Sequence, residues 1–307
     1  MGVLWVLFYF VYAVLPYTRN ATYLIYETKV DHALHQPLFP SGASCRVLML
    51  GNSQVLSGFI PDRFDALAGK NVASYNMGLP AETLFVDNLE RILENGGHPT
   101  HVFITSTWQP DNPNRRNLFN PIESDAEFLQ QLFPFRHLPR DLVLFFLRAH
   151  DHDGLAANYR YVHRSVHNVL RDRGYYFVDG QSHYPRNRIP DDFRAATDDP
   201  QRIAPRKVLV EGSEFERLIG MAEKYDFQLF FLPLYCRPGQ VAPAPPVNQQ
   251  TAQSIRPYPR LHLLGPDYFI YPNRCFADEL HLNPEGAAVY TEDVFKLTRE
   301  TLPTAPK

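Results

Sequence analysis

Residues 46–53 read RVLMLGNS. A short unbroken apolar run ended by a glycine predicts a buried strand that breaks into a loop, because a surface element would interleave polar residues at period 2 or 3.6. That loop carries Asn52 and Ser53. Outward from it the same punctuation repeats. Val72 to Tyr75 is a second short strand. From 82 to 94, apolar residues at Leu84 or Phe85, Leu89, Ile92 and Leu93 close on Gly96 and Gly97, which predicts an amphipathic helix with a glycine stop. A strand is expected at 101–105, a helix at 213–225, strands at 227–232 and 261–264, and a last helix from Pro284 to about Thr298. Strands alternating with helices imply an α/β fold, a three-layer sandwich with a central parallel sheet.

The alternation fails between Gln109 and Lys207, where Pro, Asn, Asp and Arg crowd around two helix-like stretches, 141–148 and 159–171. This stretch, 109–207, is read as an insertion or cap over a domain spanning 40–302. Pro238 to Pro259, with its Ala-Pro repeats, reads as a long exposed loop.

With 307 residues, 45% of them hydrophobic, the chain can bury one large core. A net charge of -3 without any Lys/Arg run excludes a phosphate-tracking surface, so no nucleic-acid partner is expected. Cys45, Cys236 and Cys275 lack metal-ligand spacing, and neither a zinc site nor a cofactor is expected. If the domain is exported, Cys236 and Cys275 are candidates to pair; the alternative is that all three are small buried hydrophobes.

Residues 2–17, GVLWVLFYFVYAVLPY, carry no charge. The run is shorter than the roughly 20 residues that span a hydrocarbon core. It lacks the basic flank and small-residue cut site of a cleavable signal. A membrane or signal-anchor helix over 1–20 is the expectation, with tyrosines 17, 23 and 26 at the interface; a helix buried against the domain is the alternative.

In an open parallel sheet, reacting groups gather at the carboxyl ends of the strands. Ser53 is placed there, although most loop serines serve turns. Asp278-Glu279-Leu280-His281 precedes the last helix. A serine hydroxyl becomes nucleophilic when a histidine takes its proton, and the histidine works best when a carboxylate fixes its tautomer. Asp-x-x-His supplies both within one turn; its plain alternative is a capping aspartate beside a surface histidine.

The order and spacing of Gly51-Asn52-Ser53, Tyr75-Asn76-Met77-Gly78 and Asp278-Glu279-Leu280-His281 resemble the SGNH (GDSL-like) hydrolases, whose doubly wound domain is flavodoxin-like, over roughly 45–108 and 227–300. The resemblance implies Ser53 as nucleophile, His281 as general base and acid, and Asp278 as its orienter. The N–H groups of Ser53 and Gly78 are the implied oxyanion donors, worth about 3 kcal/mol each. Asn52 stands where the family usually has aspartate. The family's third block, Gly-x-Asn-Asp, is not matched by Thr105 to Asn112; Asn112 is the first candidate to replace its oxyanion donor, ahead of Gln109, Ser106 and Thr107.

An anchor ahead of a divergent domain of this kind resembles the envelope-associated branch related to lipoteichoic-acid D-alanylation and alginate acetylation. That implies acyl transfer on a cell-envelope polysaccharide by way of an acyl-serine. An acyl-donor membrane protein is the implied partner, and the catalytic domain is expected outside the cytoplasm. An esterase or deacetylase would use the same residues, and a non-catalytic glycan-binding scaffold would keep the fold without needing them.

Three other features invite readings. His150 to Asp153 has metal-ligand types but also suits a helix C-terminus. The stretch from Tyr159 to Arg173 is either a surface for anionic or carbohydrate ligands or a solvated helix face. Trp108 is either a sugar platform or part of the core.

Overall fold

The computed structural model describes residues 2–80, 85–105, 133–177, 184–196, 198, 213–240 and 255–302. The elements run α1 (Gly2–Val14), α2 (Ala21–His35), β1 (Cys45–Gly51), α3 (Ser53–Gly58), α4 (Pro61–Ala68), β2 (Val72–Gly78), α5 (Phe85–Glu94) and β3 (His101–Thr105). They continue with α6 (Leu138–Arg148), α7 (Leu155–Arg171), α8 (Ser213–Lys224), β4 (Gln228–Leu232), β5 (Leu234–Cys236), β6 (Leu261–Leu263), β7 (Tyr268–Ile270) and α9 (Pro284–Thr298).

Five strands form one sheet in the order β2-β1-β3-β4-β6, every pairing parallel. A short parallel pair, β5 and β7, lies apart from it. Because side chains alternate along a strand, β1 feeds both faces. Leu48 and Leu50 join one cluster with Leu89, Ile92, Phe215 and Leu218 of α5 and α8. Val47 and Met49 join another with Phe64, Ala287, Tyr290 and Val294 of α4 and α9. Burial on both faces is why the strands read as unbroken apolar runs.

Among the described residues no helix is long and apolar enough to cross a membrane. Helix α1 has 13 residues, about 20 Å at 1.5 Å per residue against a core of about 30 Å. A 3-10 turn at Pro16–Thr18 then ends the run, since proline lacks the N–H the next helical turn needs. The buried-helix alternative fails for α1, because none of its residues is buried. Helix α2, by contrast, is built into the domain, with Tyr26 and Ala33 in the cluster of α5 and α8.

The Cys236–Cys275 pair is not formed, and the alternative reading of buried free cysteines holds. Cys45, Cys236 and Cys275 are all free and buried, the last two within one apolar cluster, and burial pushes the Cys236 thiol up to about 12. Of the expected exposed loop, 241–254 lies outside the described residues, and Ile255 at its far end is buried beside Phe215.

Candidate active site

Helix α3 begins at Ser53, directly past the carboxyl end of β1. β1 lies between β2 and β3, so the chain leaves it at a point where successive connections diverge and open a crevice. Asn52 is the N-cap, and its side chain accepts the Gln54 N–H at 2.9 Å. Asparagine serves this cap as well as aspartate does. The N–H of Ser53 has no acceptor among the described residues, as is usual in the first turn of a helix.

The segment 278–281 is a self-bracing turn. Asp278 Oδ1 accepts the N–H groups of Leu280 and His281, each at 2.8 Å. His281 Nδ1 lies 2.9 Å from Asp278 Oδ2, and its Nε2 lies 2.9 Å from Ser53 Oγ. With Nδ1–H donated to the carboxylate, Nε2 presents its lone pair to the serine hydroxyl, which donates. Partial burial opposes ionisation of Asp278, but the hydrogen bond and charge of His281 and the two backbone N–H groups outweigh it and hold the carboxyl below its ordinary range. The arrangement can take a proton from a serine hydroxyl and return it to a leaving group.

Several side chains that belong to no motif hold this geometry. Tyr235 donates to the Gln54 carbonyl at 2.8 Å, and Gln54 Nε2 reaches the Leu280 carbonyl at 3.3 Å, tying α3 to the histidine turn. Arg237, fully buried, donates Nε to the Glu279 carbonyl at 3.0 Å and forks onto Asp198 at 2.8 and 3.0 Å. Arg237 and Asp198 are distant in sequence and carry no motif, so only the fold reveals them.

Gly78 ends β2 behind α3. A Cβ there would stand 2.3 Å from the Leu56 nitrogen, so the close approach of strand and helix requires glycine. Its N–H donates to Asn76 Oδ1 at 2.8 Å, within a buried network in which Asn76 Nδ2 binds the Val55 and Phe59 carbonyls. Asn112, Gln109, Ser106, Thr107 and Trp108 lie outside the described residues.

Lys29 of α2 has no exposed surface. Its Nζ donates to the Gly78 carbonyl at 2.5 Å and the Gly174 carbonyl at 2.8 Å. Burial holds its pKa well below the ordinary 10.5. Gly174 adopts φ +90°, and a Cβ would meet the Asn76 carbonyl at 1.9 Å; a glycine here lets the turn after α7 dock on β2.

A cavity of about 660 Å³ opens in front of Ser53, Asp278 and His281. Its other walls come from the start of α2 and from α6 and α7, within the stretch expected to cap the domain. His152 stacks on Tyr161 with ring centroids 4.2 Å apart, both in the cavity wall. Among the described residues no group of three His, Cys, Asp or Glu could hold a metal ion. No family model, curated protein or solved structure matches the chain.

Proposed function

We propose that the protein is an SGNH-type serine acyltransferase acting on a cell-envelope polysaccharide or related polymer. The observation that carries this reading is the 2.9 Å contact of His281 Nε2 with Ser53 Oγ, with the other ring nitrogen fixed by Asp278. In the proposed reaction Ser53 Oγ attacks the acyl carbonyl of the donor as His281 takes the hydroxyl proton. The tetrahedral intermediate collapses, the donor oxygen leaves with that proton, and an acyl-serine remains. A sugar hydroxyl then gives its proton to His281 and attacks the acyl carbon, regenerating Ser53.

The Ser53 N–H is the first oxyanion donor of this scheme. Gly78 is the second, its N–H exchanging Asn76 Oδ1 for the oxyanion, and Asn112 is the third. Hydrolysis would differ only in the acceptor. In this reading the cavity walled by α6 and α7 receives the polymer acceptor.

The apolar residues of α1, with Val3 85% exposed and Val6 61% exposed, supply a surface for contact with the envelope membrane. In this reading the catalytic domain lies outside the cytoplasm, and a membrane protein delivers the acyl group. The test is the O-acyl content of the envelope polymer by proton NMR, in cells expressing wild type or Ser53→Ala. Loss of the ester signal in the variant is expected; unchanged acylation contradicts the scheme.

A further inference from the structure

Lys29 is buried where three segments of the chain meet. Its Nζ donates to the Gly78 carbonyl at the end of β2 and to the Gly174 carbonyl in the turn after α7, at 2.5 and 2.8 Å. Among the described residues no carboxylate pairs with it. Taking an amine out of water without a counter-charge carries a cost that an apolar side chain of similar length would not. What the lysine adds is a fixed spacing between two carbonyls, and both lead to Ser53.

The first connection runs through the sheet. The Gly78 carbonyl belongs to the peptide whose N–H, that of Leu79, donates to the Gly51 carbonyl at 2.9 Å. Gly51 ends β1, two residues before Ser53. Lys29 Nζ, the 78–79 peptide and the Gly51 carbonyl therefore form one hydrogen-bonded line in which each bond polarises the next. That line ends at the loop carrying the serine.

The second connection runs through the cavity wall. In the turn after α7 the Arg173 carbonyl accepts the Asn76 N–H at 3.0 Å, and the Tyr176 N–H donates to the Leu56 carbonyl at 3.0 Å. Leu56 lies one turn beyond Ser53 on α3. Tyr176 and Phe177 line the cavity in front of the serine, whereas Lys29 has no exposed surface and does not.

We propose that Lys29 is a positioning residue for Ser53: its amine locks the β1–α3 junction to the cavity wall, so that a substrate resting against Tyr176 and Phe177 meets the serine hydroxyl in register. This rests on the acyl-transfer reading. It also makes α2, which precedes the sheet, part of the catalytic unit.

The test uses the full chain and p-nitrophenyl butyrate, with each variant first shown to be folded by its melting curve. Lys29→Met keeps the stem and removes the donors. Its kcat is expected to fall about tenfold or more with KM held within about twofold, because misplacing bound groups slows the chemical step rather than binding. Lys29→Gln, whose N–H donors sit one atom short, falls between wild type and Lys29→Met. Met221→Ala empties a buried position in α8, which lends no described residue to the cavity wall; it lowers stability without moving kcat, and so separates positioning from a general loss of structure. Labelling of wild-type Ser53 by a fluorophosphonate reports the acyl-transfer reading separately. A labelled wild type whose kcat is matched within about twofold by Lys29→Met overturns the positioning role alone, as does an equal loss in Met221→Ala. If Lys29→Met does not fold, the comparison passes to Lys29→Gln, where a reduced kcat at unchanged KM supports the proposal and a kcat equal to wild type overturns it. A wild type that neither labels nor turns over the ester removes the reading and the proposal together.

Discussion

His281 Nε2 stands 2.9 Å from Ser53 Oγ across 228 positions of sequence, while its Nδ1 faces an aspartate only three residues away. The long closure depends on the packing of α9 and the 278–281 turn over the carboxyl edge of the sheet. The short one is built into the turn itself. The two halves of the site therefore fail in different ways when altered.

Asp278→Asn keeps the shape of the turn and removes the charge that fixes the imidazole. Turnover of an activated ester is expected to fall about 10⁴-fold at neutral pH, the scale seen when such a carboxylate becomes an amide. The melting temperature should change little, because Asp278 is 41% exposed. A loss of less than tenfold would remove the aspartate from the relay.

Asn52→Ala deletes the cap that accepts the Gln54 N–H and should cost about 1 kcal/mol in denaturant unfolding. Asn52→Asp preserves the acceptor and should cost almost nothing. If both variants lose equal stability, the side chain does not act as a cap.

Lys29 links stability to pH. Its folded pKa lies below the ordinary 10.5, so between those two values the unfolded chain binds more protons than the folded one. Stability then rises with pH through that window, by up to about 1.4 kcal/mol per pH unit, and flattens above 10.5. Lys29→Met removes this rise while leaving the Gly78 and Gly174 carbonyls without their donor. Urea titrations from pH 6 to 10 should show the advantage of wild type over the variant growing with pH. A constant difference contradicts the assignment.

Asp198→Asn leaves the buried Arg237 guanidinium without its counter-charge. Breaking such a pair from one side costs roughly 3–5 kcal/mol. Because Arg237 also holds the Glu279 carbonyl, Ser53 reactivity should fall together with stability, measured by unfolding and by labelling rate. Reactivity that outlasts the loss of stability would separate Arg237 from the site.

The central strands were legible because β1, β3 and β4 are buried on both faces and so write unbroken apolar runs. The turn of Asp278 to His281 was legible because its contacts are local. Helix α2 was not, since its buried face includes Lys29, a residue that sequence patterns place outside and that only the two carbonyls beneath it explain. Helices α3 and α4, of 6 and 8 residues, are too short for a period to register. The end of α1 before Pro16 was not legible, because an apolar composition does not show where a helix stops. Gly78 was singled out for its N–H; the close packing of α3 and the grip of Asn76 on that N–H appear only once β2 and α3 are brought together.

The measurement that bears most directly on the account is intact mass spectrometry of the purified protein after treatment with a fluorophosphonate, comparing wild type with Ser53→Ala and His281→Ala. One phosphonyl adduct is expected on wild type and none on either variant. A folded wild-type protein that takes up no label, or a label that persists in Ser53→Ala, would contradict it.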